Sequence, residues 1–357
     1  SHFHYIDNTF ADRKINRAVR NFPKALKDFI LLPLELVTYW RLAKRAKELV
    51  QEKKFDLVHQ VIPVSPRSLS FLDDVGAPVV IGPMNGNMTY PEGFAETHAS
   101  GTTFAQKPLR AVSEWAHHLV TGKKKAAALV VANERTASGL PKAVRPERVH
   151  MIVENGVDLG RWKAAKVSLP DSPRFIYVGR LVHWKAVDLL LSAMGSLKTP
   201  ATLEIVGKGP DQAALEQQAA HLPAHIDVQF KGFLPADDVR DHISKSTALI
   251  LPSVWECGGA VVLEAMACGK PVIATDWGGP QDYITAETGI LVPPTSPDQL
   301  VQGLTAAMET LIAAPEAAVA MGKKGRARIE SHFSWAAKCQ TMLKIYNSVL
   351  SEKSSDQ

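Results

Sequence analysis

Leu251-Pro252-Ser253-Val254-Trp255-Glu256-Cys257-Gly258-Gly259-Ala260-Val261-Val262-Leu263-Glu264-Ala265-Met266-Ala267-Cys268-Gly269-Lys270-Pro271-Val272-Ile273-Ala274-Thr275 is the stretch that decides the fold. An apolar strand ends at Pro252, Gly258-Gly259 makes a turn, and a helix is predicted from Ala260 to Cys268. Gly269 stops that helix and Pro271 opens the next strand. Strand, glycine turn, helix, strand is the repeating unit of a parallel α/β sheet. At the C-terminal end of such a strand, a turn without side chains lets ligand oxygens reach the backbone. The free N–H groups of the helix that follows attract phosphate.

The same alternation extends in both directions. Ahead of this stretch and after it, strands are predicted at Arg174–Val178, Thr202–Val206, Asp227–Lys231, Ala248–Leu251, Pro271–Ala274 and Gly289–Val292, with helices near 186–197, 210–221, 236–245, 260–268 and 297–312. An earlier train has strands at Asp56–Ile62, Pro78–Gly82, Ala126–Ala132 and Arg148–Val153. An amphipathic helix precedes it, with Leu36, Tyr39, Trp40, Ala43, Ala46 and Val50 at helical spacing. Leu169-Pro170-Asp171-Ser172-Pro173 reads as a linker. The expected organisation is a first domain over 1–165, a second over 171–331, and a C-terminal helix and tail over 332–357.

Composition agrees with two cores. The chain has 357 residues, 46% hydrophobic and 22% charged, with 23 Gly and 23 Pro in no repeating pattern. No apolar run reaches the roughly 18 residues of a membrane span. Cys257, Cys268 and Cys339 form no CxxC pair, which argues against a disulfide framework or structural zinc and for a reducing compartment. No apolar signal core opens the sequence. The formal charge is +5, and residues 1–54 hold 12 basic against 6 acidic groups, interleaved with Phe29, Ile30, Leu32 and Trp40. That stretch reads either as a solvated helix face or as a contact with an anionic lipid surface or anionic acceptor. The expected location is the cytoplasm, with peripheral contact at the inner face of the membrane.

Two carboxylates frame the glycine turn, Glu256 and Glu264, with seven residues between them. A continuous helix would separate them by ~12 Å, too far for the ~5–5.5 Å pair of a retaining glycosidase. Each can instead accept hydrogen bonds from vicinal sugar hydroxyls, one from a hexose and one from a ribose. The alternative is a surface Glu and a helix-capping Glu. In Phe175-Ile176-Tyr177-Val178-Gly179-Arg180-Leu181, Arg180 stands at a strand tip, and Lys185 lies near the start of the next helix. A guanidinium fork beside a lysine point charge suits a diphosphate, although solvated strand-end cations are common. Gly207-Lys208-Gly209-Pro210 and Gly232-Phe233-Leu234-Pro235 place two further turns on the same rim.

Taken together, Gly179-Arg180-Leu181 with Lys185, Gly207-Lys208-Gly209-Pro210, Pro252-Ser253, Glu256 and seven residues to Glu264-Ala265-Met266-Ala267, Gly269-Lys270-Pro271 and Gly278-Gly279 resemble family 4 of the retaining glycosyltransferases, over about residues 55–335. The resemblance implies the α/β GT-B fold, two Rossmann-like domains facing across a cleft, and a nucleotide sugar of UDP or GDP type as co-substrate. It implies neither a metal nor another cofactor, and no nucleic acid. By this likeness Arg180, Lys185 and Glu256 are catalytic. The donor would be held by Gly179, Arg180, Lys185, Gly207, Phe233, Leu234, Glu256, Cys257, Gly258, Gly259, Ala260, Val261 and Glu264. Of these, Arg180 and Lys185 would take the diphosphate, Glu264 the ribose, and Glu256 with the 257–259 backbone the transferred sugar. His59, Asn85 and Gly86 would lie on the acceptor side, facing a glycan or glycolipid.

The chain departs from the family pattern in four places. Lys185-Ala186 stands for Lys-Gly, a change expected to be harmless at a helix start. Glu256-Cys257-Gly258-Gly259 stands for Glu-Gly-Phe-Gly, which reshapes the hexose pocket. Val61 occupies the position of a family His, with His59 earlier in the strand. The strand and helix units that open the family's first domain have no counterpart before Phe3-His4-Tyr5-Ile6. The first domain is therefore expected to lack its initial strand–helix units and its central strand, with Phe3–Ile6 as a replacement. Two readings stand beside a hexosyltransferase: a non-catalytic nucleotide-sugar-binding protein or fragment, and a sugar-nucleotide epimerase of the same fold.

Overall fold

A computed structural model of the chain describes residues 14–15, 17–19, 22, 24–94, 114–163 and 172–355. It divides into two compact units. The described residues within 1–86, 106–152 and 343–357 form the first, and those within 87–105 and 153–342 form the second.

The first unit opens with a long helix, α1 (Lys24–Lys53), which carries Pro33 within it. Among the described residues its sheet is four-stranded and parallel, in the order β1 (Val58–Gln60), β2 (Val79–Met84), β3 (Ala128–Val131), β4 (Val149–Met151). All four residues of β3 are buried, as the apolar run Ala-Leu-Val-Val requires of a strand covered on both faces. Its core gathers Val79, Ile81, Met84, Leu129 and Val131. β1 is short and only half-buried, and among the described residues it stands at the sheet edge. Phe3–Ile6, the expected replacement for the missing central strand, lie outside the described residues.

The second unit holds a six-stranded parallel sheet in the order β10-β9-β8-β5-β6-β7. In chain order its elements are β5 (Arg174–Val178), α2 (Val187–Gly195), β6 (Ala201–Val206), α3 (Gln212–Ala219), β7 (Ile226–Gly232), α4 (Ala236–Lys245), β8 (Ala248–Leu251), α5 (Ala260–Ala267), β9 (Val272–Thr275) and β10 (Gly289–Val292). Then follow α6 (Pro297–Ala313), α7 (Pro315–Arg328) and α8 (Trp335–Ser355). The strand order reverses between β5 and β8, which makes their C-terminal ends the switch point where ligands of open α/β sheets bind. β8 and β9 are buried throughout, and the core runs from Phe175 and Tyr177 through Leu249, Ile250 and Met266 to Leu304.

The chain passes into the second unit after Ile152 and leaves it after Met342. Within that unit the two passages are stitched together. Val157 N donates to Phe333 O (2.9 Å), Trp335 N donates to Val157 O (3.1 Å), and the Lys338 ammonium donates to Val153 O. Burial pushes the Lys338 ammonium down to about 8, against the pull of Glu154. Two placements differ from the expected boundaries. The second unit starts at Val153 and also takes residues 87–94, and the end of α8 joins the first unit rather than forming a separate tail.

Candidate active site

The loops after β5, β6 and β7 are laced along the C-terminal rim of the second sheet. Gly179 N donates to Val206 O (2.9 Å), Leu181 N to Lys208 O (3.1 Å), and Gly207 N to Gly232 O (2.7 Å). Tyr177 is fully buried and its hydroxyl donates to Arg180 O at 2.9 Å, which fixes the strand tip while the Arg180 side chain stays exposed. Lys185 closes a helical turn over His183–Lys185 and precedes Ala186, whose φ of +50° is left-handed. That conformation is the reason a glycine suits the position. The expectation that Ala186 is harmless is corrected here: a Cβ in this region is sterically strained.

The Lys185 ammonium donates to Glu256 Oε2, and the two side chains are only 16% and 13% exposed. A charge pair this far from water is held by its geometry as well as by attraction. The Glu256 carbonyl accepts from Gly279 N (2.8 Å), and Val254 N donates to Trp184 O (3.0 Å), so both ends of the turn are anchored. α5 then begins after Gly259, at φ +73°, with no side-chain cap on its first N–H groups. Uncapped donors at a helix start form a site for anionic oxygen. Ala260 and Cys257 are exposed, Val261 is half-buried and Gly258 is buried.

Glu264 lies one turn into α5. Burial raises its carboxyl to about 7, opposed by the nearby Arg161 guanidinium. On the rim below β7, Phe233 is 76% exposed and Leu234 partly buried. The structure thus brings Lys185 and Glu256 together directly, starts α5 at Gly259 beside the Glu256 side chain, and leaves Arg180 and Phe233 exposed.

Sequence reasoning missed the loop after β4. Asn155 Nδ2 donates to Tyr283 OH (3.1 Å) and to Glu154 Oε1 (3.2 Å), and a Cβ on Gly258 would lie 2.2 Å from that Nδ2. Glu154 and Asn155 therefore form the seat of the glycine turn. The available signal was a polar Glu-Asn-Gly at the C-terminal end of a parallel strand.

The expected acceptor-side residues belong to the first unit. Gly86 N donates to Thr136 Oγ1 (3.2 Å), and that hydroxyl lies 3.3 Å from Asn85 Oδ1. His59 is engaged at both ring nitrogens: Nε2 donates to Gly82 O (2.6 Å), and in the neutral ring Nδ1 accepts from Tyr346 OH (2.6 Å). Its observed contacts are those of a residue that ties α8 to the first sheet.

Residues 160–328 match the family described as glycosyl transferases group 1. Among curated proteins, the chain is 31% identical over 227 residues to an alpha-maltose-1-phosphate synthase of Mycolicibacterium smegmatis, covering 58% of each chain. It is 30% identical over 200 residues to a glycogen synthase of Mycobacterium tuberculosis, covering 55% of this chain and 47% of that one. It is also 33% identical over 181 residues to a GDP-mannose-dependent alpha-(1-6)-phosphatidylinositol monomannoside mannosyltransferase of Mycolicibacterium smegmatis, covering 48% and 46%. The chain thus spans about half the length of the curated relatives it matches. In fold it is similar to sucrose-phosphate synthase of Thermosynechococcus elongatus, with a TM-score of 0.61 and 23% identity over 88% of this chain and 79% of that one. HepE of Anabaena, solved in complex with UDP, gives 0.63 and 20% over 86% and 82%. The fold is therefore GT-B, an α/β architecture with two parallel-sheet, Rossmann-like domains.

Proposed function

We propose that this chain is a glycosyltransferase that moves a hexose from a UDP- or GDP-sugar to a hydroxyl of a glycan or glycolipid, with retention at the anomeric carbon. The observation that carries the reading is the half-buried Lys185–Glu256 pair beside the uncapped start of α5, on the switch-point rim of the sheet whose segment matches the family. Support comes also from the relatives, whose names describe glycosyl transfer or synthesis.

Chemically, the barrier is departure of a charged diphosphate from an oxocarbenium-like carbon. Lys185, Arg180 and the α5 N–H groups would stabilise charge developing on the leaving oxygen. Glu256 would orient Lys185, and with the 257–259 backbone it would accept and donate hydrogen bonds at the hexose hydroxyls. Glu264 would accept from the ribose. On the same face, the acceptor oxygen bonds to the anomeric carbon as the bond to the diphosphate breaks, and the acceptor proton passes to the leaving phosphate oxygen. No metal and no further cofactor enter this scheme.

A thermal-shift panel of UDP, GDP and their hexose conjugates tests it, because a ligand of the folded state raises the melting temperature by mass action. One base and one conjugate should stand out. A flat response across the panel would remove the nucleotide-sugar reading.

Membrane contact belongs to the same proposal. On α1 the exposed residues Pro33, Val37, Trp40, Lys44 and Lys47 follow one another at helical spacing, apolar at one end and basic at the other. The side chains of Phe29 and Leu32, expected to insert with Ile30, lie outside what the structure describes. Lysines near an anionic surface contribute ~1 kcal/mol each. Sedimentation with phosphatidylglycerol vesicles should pull the protein down at low salt and release it at high salt; binding indifferent to both lipid charge and salt would exclude it.

A further inference from the structure

Residues 87–94 follow the end of β2 and pack within the second unit as a strap against Trp255, Trp277 and Gly278. Four contacts fasten it there. Trp277 Nε1 donates to Thr89 O (2.9 Å), the Met88 methyl lies 3.1 Å from where a Cβ on Gly278 would sit, Phe94 is fully buried in the second core, and Gly93 passes so close to Thr295 O that a Cβ would lie 2.0 Å from it. Gly278 is itself wedged against the Glu256 carbonyl, 2.1 Å from its would-be Cβ, at φ +73°. The strap thus meets the backbone of Gly278, which in turn packs on the Glu256 carbonyl.

At its middle, the Tyr90 ring meets Trp255, with ring centroids 4.5 Å apart and planes inclined at 41°. Both rings are half-buried, so each keeps part of its surface for a ligand. Glu256 and Trp255 are adjacent in sequence but serve different partners: the carboxylate turns to Lys185 and the indole turns to Tyr90. Charge is gathered on the Lys185 side. The Tyr90–Trp255 side offers aromatic carbon, and the strap residues on either side in sequence, Thr89 and Glu92, are exposed. Apolar ring faces flanked by a few polar groups fit a neutral ligand that is itself amphipathic. A pyranose ring, with an apolar C–H face and a rim of hydroxyls, is such a ligand.

We propose that Tyr90 and Trp255 form a platform for a pyranose ring of the acceptor glycan, beside the turn that holds the transferred sugar. This rests on the glycosyltransferase reading and extends it. The platform places the acceptor class among neutral glycans, and it assigns to the strap a binding role in addition to its structural one.

The test is titration calorimetry of the full chain with saturating UDP or GDP, whichever binds, against methyl α-D-glucopyranoside, maltotriose and cellotriose as probes. Parent protein should bind at least one probe. Tyr90→Leu and Trp255→Leu should each weaken that probe about tenfold or more while changing the nucleotide Kd less than twofold. Trp277→Phe, which removes the N–H donor to Thr89 O and shrinks the ring without touching the platform, should lower the melting temperature with a smaller effect on the probe. Parent protein that binds nucleotide but no probe overturns the platform and leaves the donor site standing. So does an equal loss of nucleotide and probe in both leucine variants, or a Trp277→Phe loss as large as theirs. Parent protein that binds neither nucleotide overturns the glycosyltransferase reading and the platform with it.

Discussion

Glu264 carries a carboxyl that burial raises to about 7, with the Arg161 guanidinium pulling the other way and Cys268, just past the end of α5, as its titratable neighbour. An acid raised above its unfolded value adds stability that is present below about pH 4.3 and lost as pH rises to about 7. Glu264→Gln removes that loss, so the variant should gain stability relative to the parent at pH 8 and little at pH 5, as urea denaturation at the two pH values would show. Ligand affinity should move the opposite way. If the ionised carboxylate accepts ribose hydroxyls, nucleoside diphosphate binds more tightly as pH rises to about 7 and then levels, and Glu264→Gln flattens that profile while weakening binding by roughly 1.5–3 kcal/mol. A pH profile identical in parent and variant would place Glu264 outside the ribose site. The residue was legible from its spacing to Glu256; its raised carboxyl was not, because burial depends on how Arg161, α4 and α7 pack around α5.

The helices α2 and α5 start in the same way, after a residue in the left-handed region, at Ala186 and Gly259. Such starts place uncapped N–H groups at the rim, and the glycine at 259 was readable as a turn signal. At 186 the sequence hid the same geometry behind an alanine, since nothing in Lys185-Ala186 announces a positive φ. Relief of the left-handed φ should therefore offset most of the loss of the buried Ala186 methyl, so Ala186→Gly should leave stability nearly unchanged, whereas in an ordinary helical position the same change costs about 1 kcal/mol. Chemical denaturation distinguishes the two, and a loss near 1 kcal/mol would show that Ala186 is unstrained. Strand positions were more legible: Arg174–Val178, Ala248–Leu251 and Gly289–Val292 appear with the predicted bounds, because buried parallel strands are continuous apolar runs.

Across the whole chain, two parallel sheets followed from alternating strand and helix signals, and the glycine turns of the second fell on the rim where its strand order reverses. Long-range partners were not legible. His59 is held by Tyr346, 287 residues later, and Tyr90 meets Trp255 although the intervening chain gives no periodic cue. Such contacts depend on how distant segments come together, which local pattern does not encode. Donor binding at this rim depends on Lys185 and Glu256 forming one site. Calorimetric titration of the parent, Lys185→Ala and Glu256→Gln with a nucleoside diphosphate and its hexose conjugate tests this most directly. Lys185→Ala should weaken both ligands at least tenfold, and Glu256→Gln should weaken the conjugate more than the free diphosphate. Unchanged affinities in both folded variants would contradict it.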